Sequence, residues 1–166
     1  ALGLDQRLGT LGIDTRTGSD SLEILPTLYD LSTEIFKDNY AYSPISYKEF
    51  YQLYARIVAL DAVVIVANND QGPVGIAFSY DIGPYASACG AEPKLTSVLK
   101  TIGVHPRARN QRIGFGISYL THRLWLERGF QQIIHAYMKS DNASRAMSSH
   151  FDQALREYAL VRWRAT

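Results

Sequence analysis

His105-Pro106-Arg107-Ala108-Arg109-Asn110-Gln111-Arg112-Ile113-Gly114-Phe115-Gly116 decides how this chain is read. The residues before it, Lys94 to Val104, pattern as a strand. After it, Ile113, Ile117, Leu120 and Leu124 recur at helical spacing until Gly129 stops the helix. A strand-to-helix junction leaves the first amides of the helix without intrahelical acceptors, and such amides attract anions. Gly114 and Gly116 remove side chains where a diphosphate would approach the backbone, while Arg107, Arg109 and Arg112 add positive charge. Two other glycine loops fit poorly. A dinucleotide fingerprint needs Gly or Ala three places after Gly116 and meets Tyr119, and a P-loop needs Gly-Lys-Ser or Gly-Lys-Thr and meets Gly-Phe-Gly.

Working outward, residues 11–16 read as a first strand. Thr17-Gly18-Ser19-Asp20 supplies turn and cap chemistry ahead of a helix with Leu22, Leu25, Leu28, Leu31 and Ile35 on one face and Pro26 early in it. Residues 37–46 read as a loop. Ser46-Tyr47-Lys48-Glu49 resembles a capping box that opens a second helix, whose apolar face uses Phe50, Leu53, Tyr54 and Ile57. Strands at 62–67 and 73–80 flank the polar turn 68–72 and should pair antiparallel. Residues 81–93, with two glycines and two prolines and no helical period, read as a long loop. A strand over 131–138, a helix from Asp141-Asn142 to about Leu155 and a strand over 157–163 complete the order. Strands mixed with helices in this order predict an α/β, or α+β, mixed sheet flanked by helices, in a single domain over 1–166 that either stands alone or belongs to a longer chain.

Gln111, Gly114 and Gly116, at a spacing of two residues and then one, together with the strand running into His105-Pro106, resemble the loop of the GNAT superfamily of acetyl-CoA-dependent N-acetyltransferases. The resemblance spans nearly the whole chain. It implies the GNAT fold, with a central, mostly antiparallel, twisted sheet. It also implies acetyl-CoA as acyl donor. Ile102 and Val104 would offer backbone groups to the pantetheine arm, Gln111, Arg112, Ile113, Gly114, Phe115 and Gly116 would grip the pyrophosphate, and Asn142 would steady the cofactor. The acceptor is an unidentified amine.

The catalytic reading is more open. An ammonium with a pKa near ~10 has no lone pair, so a proton must leave the acceptor before attack. Many members of the superfamily use a Glu on the strand before the loop, but Leu95 to Val104 contains no carboxylate. His105, His135, Asp81 and an ordered water remain as candidates. Each residue has a plainer role available, respectively a loop residue, a sheet histidine and a turn former. The family's Tyr that protonates the thiolate falls here at Ser149, so either Ser149 acts through water or Tyr137 substitutes. Tyr40, Tyr42, Tyr47, Tyr51 and Tyr54 crowd the region where the family builds its acceptor pocket, though aromatics there also pack helices on a sheet. A non-catalytic acyl-CoA-binding domain or a protein-interaction domain is the alternative.

Composition narrows the field. With 166 residues, 46% hydrophobic and 20% charged, the chain can bury one ordinary core. Its net charge of +1 gives no footprint for nucleic acid, and its longest apolar runs are too short for a bilayer. The single cysteine, Cys89, reads as a packed or loop residue, and no stretch resembles a signal peptide, so a cytoplasmic location is expected. His122 and His150 have no metal-ligand pattern around them, so no metal is expected. The sequence does not distinguish a monomer from a homodimer.

Overall fold

A computed structural model describes residues 11–39, 42–88, 95–109 and 111–136. The sheet is ordered β1 (Gly12–Thr17), β2 (Ala62–Asn69), β3 (Gly72–Asp81), β4 (Thr96–Val104), β5 (Gln132–His135). The first three neighbouring pairs are antiparallel and β4–β5 is parallel. Six consecutive buried residues open β2, as expected of a strand covered on both faces. Alternate side chains then divide between two cores. Val64 and Val66 pack with helices α1 (Leu25–Phe36) and α2 (Tyr47–Val58), and Val63, Ile65 and Ala67 pack with the helix α4 (Ile113–Glu127). The hairpin between β2 and β3 closes as the sequence suggests. Asn69 accepts from Gln71 N at 2.9 Å, and Gly72 takes φ 99°, a conformation that favours glycine.

Helix α4 makes the crossover that a parallel pair requires. It is held to the sheet by Trp125, whose Nε1 donates to Ser79 Oγ at 2.8 Å; Ser79 Oγ in turn donates to Val63 O at 3.2 Å. Gly129, at φ 86°, ends the helix as its sequence position predicts. The capping box on α2 is complete: Glu49 N donates to Ser46 Oγ at 3.3 Å, and Ser46 N donates to Glu49 Oε2 at 2.8 Å.

Three expectations change. The first helix does not start at its Thr17–Asp20 turn, because Gly18–Leu22 form a 3-10 turn and α1 begins at Leu25. Pro26 explains the delay, since proline fits a first turn, where its missing N–H loses nothing. Leu53 is 48% exposed, because the buried stripe of α2 runs Phe50, Tyr54, Ile57 and Val58 and leaves Leu53 at its rim. The expected loop from residue 81 contains a helix, α3 (Gly83–Ala88), nucleated where Gly83 N donates to Asp81 Oδ1 at 2.7 Å. The helix and strand expected after residue 140 and Cys89 lie outside the described residues. No described helix is long and apolar enough to cross a membrane.

Candidate active site

The glycine loop is built from the end of β4. His105 N donates to Val74 O at 2.8 Å, extending the antiparallel pairing by one bond. His105 Nδ1 then accepts from Arg107 N at 3.2 Å and caps the 3-10 turn Pro106–Ala108. With that bond made, a neutral imidazole carries its proton on Nε2 and keeps no free acceptor nitrogen. Arg107 reaches back, its guanidinium donating to Gln71 O at 3.1 Å and Pro73 O at 2.9 Å, so its charge anchors the loop to the β2–β3 hairpin. Arg109, Gln111 and Arg112 are exposed beside it.

Arg112 holds the turn into α4 in the left-handed conformation, φ 57° and ψ 17°, and its side chain caps nothing. The first intrahelical bond is Gly116 N to Arg112 O at 3.1 Å. The amides of Ile113, Gly114 and Phe115 precede it, where a helix offers no acceptor of its own. Ile113, Gly114, Gly116 and Ile117 are buried, and the two isoleucines pack on the sheet. The seat exists because residue 75 is glycine: a Cβ there would stand 2.9 Å from Ile113 Cγ2 and 3.5 Å from Ile117 Cδ1. Gly75 pairs with Val104, so the positive end of α4 is brought to the end of β4.

Along β4 itself the register slips. Phe78 pairs with Thr101 and Ser79 with Leu99, which leaves Lys100 as the extra residue of a β-bulge. Leu99 and Ile102 pack on the α4 side. Lys100 and Thr101 both turn to α2: Lys100 Nζ donates to Tyr54 Oη at 3.2 Å, and Thr101 Oγ1 lies 3.5 Å from the same oxygen. At this point the described pairing with β5 ends, at Leu99↔His135 and the bond from Ala136 N to Leu99 O. Ile102 and Val104 follow, half-buried and packed toward α4. On the opposite face Gly103 lets α1 close in, since a Cβ there would meet Ile35 Cγ2 at 2.7 Å.

The remaining candidates scatter. His135 lies against His122 of α4, Nε2 to Nε2 at 2.6 Å, so one ring donates and the other accepts. Asp81 caps α3 with one oxygen. Tyr137, Asn142, Ser149 and Tyr40 are outside the described residues. Tyr47 and Tyr51 are exposed on α2, Tyr47 edge-on to Tyr29 at 5.4 Å, while Tyr54 is buried, stacked on Phe50 at 4.1 Å. Lys37 Nζ donates to Glu34 Oε2 at 2.8 Å and holds that carboxyl below the usual range. Among the described residues no group of three or more His, Cys, Asp or Glu could hold a metal. Sequence reasoning missed Lys100. Its signal was present, because Lys100 is the one charged residue between Leu95 and Val104.

No family model matches the sequence. No curated protein matches it either. Solved structures do. An aminoglycoside acetyltransferase from an uncultured soil metagenomic sample, in complex with sisomicin, is 17% identical, with 95% of this chain and 97% of that one covered at a TM-score of 0.65. An aminoglycoside acetyltransferase in complex with a CoA bisubstrate analogue is 15% identical over 93% and 99%, TM-score 0.63. A ribosomal-protein-alanine N-acetyltransferase from Brucella melitensis is 14% identical over 92% and 100%, TM-score 0.61. A transcriptional regulator from Bacillus halodurans is also similar, so the fold by itself fixes no activity. The order of the described strands, the parallel β4–β5 pair and these likenesses together identify the chain as having the GNAT fold.

Proposed function

We propose that this chain is an acetyl-CoA-dependent N-acetyltransferase that moves an acetyl group to an amine by direct attack. The observation that carries the reading is the start of α4, where Arg112 turns the chain, no side chain caps the helix, and the amides of Ile113, Gly114 and Phe115 precede the first intrahelical bond. Anion binding at such a terminus combines free amides with the helix dipole. The CoA analogue bound by one structural neighbour supports the choice of anion.

In this reading Gln111 to Gly116 hold the diphosphate, Ile102 and Val104 offer main-chain groups to the pantetheine arm, and Asn142 steadies it. The acceptor nitrogen attacks the thioester carbonyl carbon, the C–S bond breaks, and CoA leaves as thiolate. Tyr137 or Ser149 returns a proton to the sulfur. The proton lost by the amine passes to water or to a residue near the thioester. His105 stands five residues past the bulge, about 16 Å along an extended strand, at the diphosphate end of β4. There it serves the loop better than the reacting amine.

The test is turnover. Purified protein with acetyl-CoA and an amine panel should release CoA thiol in step with acetylated product. Acetyl-CoA binding without product from any amine would favour a non-catalytic CoA-binding domain.

A further inference from the structure

Lys100 is the bulge residue of β4, so it shares the α2 side with Thr101 instead of alternating with it. Its ammonium is fixed on Tyr54, donating to the phenol oxygen at 3.2 Å and standing 4.8 Å from the ring centroid. Tyr54 is itself held in place, stacked on Phe50 and edge-on to Phe78 at 4.7 Å. The lysine is half-buried, and no carboxylate pairs with it among the described residues. An ammonium has three N–H donors. The phenol takes one, and no described residue takes the other two.

The position matters as much as the charge. Lys100 lies where the described β4–β5 pairing ends, four residues and about 13 Å back along β4 from Val104 and the diphosphate loop. It faces the helices that carry the tyrosines. A fixed cation there repels a polycationic amine and disfavours the protonated form of any amine that enters. A carboxylate on the same acceptor would convert that repulsion into a charge-assisted hydrogen bond and complete the donor set of Lys100.

We propose that the acceptor is an amine that also bears a carboxylate, and that Lys100, positioned by Tyr54, binds that carboxylate. The proposal rests on the acetyl-transfer reading above. Lys100 is a specificity residue here, and the loop that holds CoA is separate from it.

The experiment compares kcat/KM for an ω-amino acid, its carboxamide and a polyamine, with acetyl-CoA affinity measured by calorimetry in parallel. Wild type should prefer the amino acid over its carboxamide by about tenfold or more. Lys100→Met should reduce that preference below about threefold, Lys100→Arg should retain most of it, and Lys100→Glu should turn it toward the polyamine. Acetyl-CoA affinity should stay the same throughout. If wild type acetylates the carboxamide or the polyamine as well as the amino acid, or if Lys100→Met keeps the preference, the proposal is overturned while the acetyl-transfer reading stands. If wild type neither binds acetyl-CoA nor acetylates any amine, both are overturned.

Discussion

At Arg112 the backbone takes a conformation that costs a residue with a Cβ about 1 kcal/mol, and glycine would relieve it. A guanidinium kept in a strained position at the start of α4 is understandable if it meets an anion. Arg112→Gly should therefore raise Tm by about 2 to 4 °C and weaken acetyl-CoA binding by about threefold or more. Differential scanning calorimetry and acetyl-CoA titration check the two halves. A lower Tm with unchanged affinity would mean that Arg112 serves stability alone. The glycines beside it were legible from spacing, because the pattern lies within consecutive residues. The direction of Lys100 was not, since it depends on a bulge set by the register between β3 and β4, a property of two distant segments.

Helices follow the same division. The start of α2 could be read from four residues, because a capping box is local. Its charge partner makes it sensitive to pH. Glu49 is held below its ordinary value of 4.5, first by the hydrogen bond from the Ser46 hydroxyl and then by the one from Ser46 N. A carboxyl whose folded pKa is depressed contributes stability that is present above the unfolded pKa and is lost as pH falls through the folded one. Glu49→Ala should lower Tm at pH 7, and the gap to wild type should narrow once the pH drops below about 4.5. A gap that stays constant into acid would show that the carboxylate charge is not what caps α2. The start of α1 and the existence of α3 were less legible. The first turns on where Pro26 is tolerated, and the second on a six-residue helix too short to display a period.

For the whole molecule, the sheet separates two cores. Its α4 face carries the core that seats the glycine loop, and its other face carries α1, α2 and their tyrosines. β4 belongs to both, with Ile102 and Val104 turned to one and Lys100 and Thr101 to the other. The succession of strands and helices and the hairpin between β2 and β3 could be anticipated from the alternation of patterns along the chain. The bulge that turns both Lys100 and Thr101 to the α2 side could not. The central claim is that the start of α4 binds the diphosphate of acetyl-CoA. The direct measurement is a calorimetric titration of acetyl-CoA into wild type, Gly114→Asp and the exposed-site variant Arg112→Glu, each first matched by circular dichroism. Wild type should bind with a dissociation constant in the micromolar range, and each variant should bind about tenfold or more weakly, because its carboxylate repels the phosphates. Equal affinity in all three proteins, or no binding by wild type, would contradict the account.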